Sequence, residues 1–107
     1  MPEVRIDANG AFLNQDMVRR AVALIPKNVK RKISFCIMSV KNLESLEYGK
    51  YRIVSRWEMI KQYLRGESVN IPIRPEFGYP EDRVTFRNKT GEIIAAIVNL
   101  GEHHASA

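Results

Sequence analysis

The sequence predicts an α+β fold with a mostly antiparallel sheet, and three features of its 107 residues point that way. Short stretches of alternating apolar residues recur along the chain, separated by turn signals. Two stretches carry apolar residues at helical spacing behind N-cap chemistry. A hairpin pattern, RVTFR then NKTG then EIIAAIVNL, lies near the end. The resulting order predicts about five to six strands, with two helices at about 14–25 and 56–65 packed on one face. Length implies one domain, 1–107, with 101–107 a flexible tail.

Residues 3–7 alternate through Val4 and Ile6 and read as a short strand, closed by the turn signal Ala8-Asn9-Gly10. Asn14 can cap a helix, and Asp16 sits in its first turn, where negative charge is favoured. Met17, Val18, Ala21, Val22 and Ile25 share one face, and Arg19 and Arg20 the opposite one. Pro26 disfavours helical geometry at Ile25 and ends the helix. In residues 31–40 both strand faces are apolar, which suits a central strand. A helical turn is expected over 42–48, closed by Gly49, then a strand over 50–54.

Ser55 and Glu58 form a capping box, with Val54 and Met59 placed as a hydrophobic staple and Gly66 as the helix stop. A single longer helix from about Tyr51 is the alternative. The β-branched pair Ile53-Val54 favours strand, then helix. Val69, Ile71 and Ile73 alternate, and Pro72 pushes that strand to a sheet edge. Residues 74–82, with two prolines, a glycine, Phe77 and Tyr79, read as a structured loop. A four-residue turn in the 83–99 hairpin would set Arg87 opposite Glu92, Phe86 opposite Ile93 and Val84 opposite Ala95.

The last strand has apolar residues on both faces. If helices cover Ile93, Ala95 and Ile97, then Ile94, Val98 and Leu100 need another cover. A second copy of the chain, forming a homodimer, or a larger protein assembly would supply it. A curled sheet, or the 74–82 loop folded over it, is the alternative.

Composition excludes several classes. The chain is 45 % apolar and 27 % charged, as globular domains are. No apolar run is long enough for a membrane span. The N-terminus lacks a signal-peptide pattern, and one cysteine, Cys36, implies a reducing, cytoplasmic setting. His103 and His104 are adjacent in the terminal GEHHASA and poorly placed for acid–base work. Cys36 lies in an apolar strand and reads as an inert buried thiol. Glu81-Asp82 and Glu44 with Glu47 read as solvated carboxylates. No phosphate-binding glycine loop, metal-ligand spacing or cofactor motif appears. The reading is therefore non-enzymatic, with no metal and no cofactor.

Charge points to a polyanion. Lys plus Arg number 17 against 12 Asp plus Glu, a net +5. Lys27, Lys30, Arg31 and Lys32 place four cations in six residues and could grip phosphates. Arg83, Thr85 and Arg87 alternate and share one face of a strand. Arg19, Arg20, Lys61 and Arg65 would lie on the outer helix faces and form one basic surface if the helices are neighbours. The first functional reading is nucleic-acid association through Lys27, Lys30, Arg31, Lys32, Arg83 and Arg87. It expects these cations to form one contiguous patch. The alternative is a protein–protein accessory subunit, adaptor or inhibitor acting through Ile94, Val98 and Leu100, with the cations scattered.

A third reading rests on Gly49-Lys50-Tyr51-Arg52-Ile53-Val54, which resembles the G-x-Y-R-I strand of RelE/ParE-type ribonuclease toxins. That resemblance implies RNA cleavage by Arg, Lys and Tyr side chains, with Tyr51, Arg52 and a lysine converging in a cleft. It covers six residues. The family's preceding helical hairpin is missing, and a helix is expected where the family continues with strands.

Overall fold

The structure, a computed structural model, describes residues 4–46, 63–65 and 70–101. Strand β1 (Val4–Asp7) is followed by helix α1 (Gln15–Leu24) and the short helix α2 (Lys27–Lys30). Strand β2 (Phe35–Ser39) runs directly into helix α3 (Val40–Leu46). Strands β3 (Tyr63–Arg65), β4 (Asn70–Glu76), β5 (Val84–Arg87) and β6 (Ile93–Val98) complete the described chain. The predicted strand over 50–54, the capping box at Ser55, residues 56–62 of the predicted helix, and 102–107 of the predicted tail lie outside the described residues.

Five strands form a mixed sheet in the order β1-β6-β5-β2-β4, and the three-residue β3 extends it along the outer edge of β4. Pairing is antiparallel in β6/β5, β5/β2 and β4/β3, and parallel in β1/β6 and β2/β4. The fold class is thus α+β with a mostly antiparallel sheet. β2 lies between β5 and β4, the central place its two apolar faces suit.

α1 begins where its capping chemistry puts it. The Asn14 Oδ1 accepts from the Met17 amide at 2.9 Å. At the other end the chain turns extended at Ile25, ahead of Pro26. Ser39 caps α3 in the same way, its Oγ accepting from the Asn42 amide at 3.1 Å. Val18, Ala21, Val22 and Ile25 around α1, Val29 of α2, and Leu43 and Leu46 of α3 enter one core cluster. The sheet contributes Cys36, Met38, Ile71, Ile73, Val84, Phe86, Ala95 and Ile97 to it.

Four expectations change. Residues 63–65 form a strand, not the end of a helix: Leu64 pairs with Ile71 and Tyr63 with Pro72. A sheet edge offers unpaired backbone groups, and pairing them outweighs helix propensities of a few tenths of a kcal/mol per residue. β4, in turn, is not the edge. It sits between β2 and β3 despite Pro72 and Pro75, and it runs to Glu76, into the expected loop. Parallel pairing of Met38 with Pro75 and Ser39 with Glu76 extends it. Each proline removes one donor, and the remaining ladder holds.

The hairpin forms with a different register. Val84 faces Ile97, Phe86 faces Ala95 and Arg87 faces Ile93, with a bulge at Phe86/Arg87. The turn explains the shift. Asn88 Oδ1 accepts from the Thr90 and Glu92 amides at 3.0 Å each, and from Thr90 Oγ1 at 2.8 Å. Gly91 adopts φ +87, open to glycine at no cost.

The bulge and a left-handed residue also relocate the apolar surplus. Ile94 faces no residue of β5 in the ladder, and its side chain joins the core, 6 % exposed. Asn99, at φ 58, breaks strand alternation, so Leu100 also enters the core, 4 % exposed. The Leu100 amide is tied to the Asp82 carbonyl at 3.0 Å. The predicted outward face of Ile94, Val98 and Leu100 is therefore corrected. Two of its three members are covered by the chain itself, and half-buried Val98 remains.

Candidate nucleic-acid interface

Pro26 starts the tight turn of α2, its carbonyl accepting from the amides of Val29 and Lys30. The buried Val29 pins this turn to the core. Lys27, Arg31 and Lys32 consequently stand exposed and Lys30 half-buried. The next link is a backbone one: the Ser34 amide donates to the Arg87 carbonyl at 2.7 Å, and Phe35 is the cross-strand partner of Arg87. This brings the basic run and the end of β5 to the same end of the sheet.

Arg87 is held in place there. Its Nε donates to Thr85 Oγ1 at 3.4 Å, Nη1 to the Gly91 carbonyl at 3.1 Å and Nη2 to Tyr79 Oη at 3.4 Å. Tyr79 Oη and Thr85 Oγ1 share a 2.7 Å hydrogen bond. All these partners are neutral, so the guanidinium is positioned without an ion pair among the described residues. Lys89, exposed on the hairpin turn that follows, adds another cation at this end. The sequence marks 88–91 as a turn, but only the direction of the hairpin brings Lys89 to the same end as Arg31. Among the described residues, none of Lys27, Lys30, Arg31, Lys32, Arg87 and Lys89 makes an ion pair with a carboxylate.

Arg83 does not join them. It precedes β5 at the far end of that strand, and its Nε pairs with Asp82 Oδ1 at 3.0 Å. The hydrogen bond from Arg83 holds the Asp82 carboxyl below its usual range. Lys41 and Glu81 pair at 3.4 Å. The Glu81 carbonyl accepts from Asn42 Nδ2, so this pair too belongs to the Asp82 loop. Arg20 of α1 is likewise paired, with Asp16 at 2.9 Å. Arg19 is exposed on α1, Arg65 belongs to β3, and Lys61 lies outside the described residues. Of the basic surface expected from two neighbouring helices, Arg65 lies on a strand and not a helix, and the rest of the second helix lies outside the described residues.

A second grouping lies on the sheet face away from the core cluster. By strand alternation β2 presents Phe35 and Ile37 there, β5 Thr85 and Arg87, and β4 Arg74 and Glu76. Arg74 Cζ lies 4.1 Å from the centroid of the Phe35 ring. Tyr79 folds the loop onto this face through Thr85, whereas Phe77 projects from its turn, 74 % exposed.

No family model, curated protein or solved structure matches the chain. Among the described residues no group of three or more His, Cys, Asp or Glu could hold a metal ion. No described helix is long and apolar enough to cross a membrane. Cys36 is fully buried, and burial pushes its thiol far above the usual range. Its thiolate is therefore not formed at neutral pH. His103, His104, Tyr51 and Arg52 lie outside the described residues.

Proposed function

We propose that this protein is a non-enzymatic nucleic-acid-binding domain that grips the sugar–phosphate backbone with the basic end of its sheet. The groups assigned to that grip are Lys27, Lys30, Arg31, Lys32, Arg87 and Lys89. The observation that carries the reading is a contrast in pairing. Cations at this end cluster with no carboxylate partner among the described residues, whereas elsewhere Arg20, Lys41 and Arg83 are each ion-paired and the cations without such a pair, Arg5, Arg19 and Arg74, lie on three separate elements. Unpaired cations release counterions from a polyanion, and paired ones contribute little.

The test is fluorescence anisotropy of labelled oligonucleotides across a salt series. Affinity should fall log-linearly with salt, at about 0.7–0.9 of a log unit per phosphate contacted. Replacing Arg31 with alanine should lower that slope by about one contact. An absence of binding at low salt overturns the reading.

A further inference from the structure

We propose that Phe35 and Arg74 form a stacking platform for an unpaired base, which makes the bound polyanion a single strand and not a duplex. The inference rests on the nucleic-acid reading above and deepens it.

Ile37 faces Arg74 in the β2/β4 register, so Phe35 and Arg74 are diagonal neighbours on the same sheet face. The guanidinium lies over the ring at 4.1 Å. The ring is half-buried and the arginine exposed. Phe35 thus lies beneath an exposed planar cation. Nucleobases stack on guanidinium planes as they do on aromatic rings, and every base has such a face to offer. In a duplex those faces are already used by neighbouring bases.

Charge around the platform gives the strand a direction. Arg87 is the direct cross-strand partner of Phe35, and Arg31 and Lys32 precede Phe35 in the chain. Phosphates flanking a base on Arg74 meet these cations. Glu76, the next residue of β4 on the same face, is exposed and repels phosphate. The backbone therefore runs from the platform toward Arg87 and Lys32, not along β4 toward Glu76.

The experiment uses the full chain and three labelled probes of equal length: oligothymidylate, the same strand annealed to its complement, and an abasic oligomer with phosphates but no bases. The single strand should bind about 5- to 150-fold tighter than the abasic oligomer, the range expected for one stacked base. It should also outbind the duplex. Arg74→Lys keeps the charge but removes the plane. It should abolish the preference for the base-bearing strand while leaving the salt slope unchanged. Phe35→Leu should act in the same direction, and Arg74→Lys remains informative if that core-edge change fails to fold. Equal binding of all three probes, or a preference that survives Arg74→Lys, overturns the platform and leaves phosphate binding standing. No binding of any probe overturns both.

Discussion

Gly101 packs its backbone directly against the 10–12 segment. Its amide donates to the Ala11 carbonyl at 3.0 Å, although the sequence assigns residue 101 to a flexible tail. A Cβ there would lie 2.5 Å from the Gly10 carbonyl oxygen and 3.1 Å from the Phe12 ring. Backbone oxygen cannot move aside as a side-chain tip can. Gly101→Ala should therefore cost about 1–3 kcal/mol, read by urea unfolding. An unchanged midpoint would show that the 10–12 segment yields freely. Some residue roles were legible in the sequence because their chemistry is local. Asn14 caps α1 through an amide three residues away, and Cys36 is a buried thiol because its strand is apolar on both sides. Ile94 and Leu100 were not legible. Their direction depends on a bulge and on a left-handed Asn99, neither of which apolar alternation reveals.

Elements divide in the same way. α1 and the 83–99 hairpin carry their own start, stop and turn signals, and both form. The hairpin register follows from Asn88, whose side-chain oxygen accepts three hydrogen bonds within the turn. Asn88→Ala leaves the Thr90 and Glu92 amides without those acceptors. It should destabilise the fold by about 1–2 kcal/mol, with amide exchange at Glu92 and Ile93 speeding first. Equal protection in variant and wild type would mean the strands alone set the register. β3 was hidden for a different reason. Tyr63 and Leu64 fit the apolar helical stripe of Met59 and Ile60, and it is antiparallel pairing with the nearby Ile71 and Pro72 that makes them a strand. In the sequence β4 reads as ending at Ile73, because two prolines, a glycine and two aromatics mark 74–82 as a loop. The partner that extends it, β2, lies over thirty residues upstream.

For the whole molecule, sheet order decides which charges meet. β1 and β6 pair in parallel across nearly the full chain, and β2 enters between β5 and β4. Nothing local in the sequence encodes either pairing. The consequence is a sorting of the six predicted contact residues: Lys27, Lys30, Arg31, Lys32 and Arg87 come to one end, and Arg83 to the other. Lys89 joins the first group. The 17 cations of the sequence thus differ in what they can do, although each counts equally toward the net charge. Long-range attraction to a polyanion depends on net charge, but phosphate contact depends on placement. Two double variants of identical net charge separate these effects. Arg31→Ala with Lys32→Ala removes two cations of the basic end that have no carboxylate partner among the described residues. Arg20→Ala with Arg83→Ala removes two that are paired with Asp16 and Asp82. The most direct measurement is the salt slope of oligothymidylate binding for these two proteins beside the wild type. Phosphate contact at the basic end predicts a slope lower by about 1.4–1.8 for the first variant and near the wild-type value for the second. Equal losses in both would mean that net charge alone attracts nucleic acid and that the basic end of the sheet is no binding site.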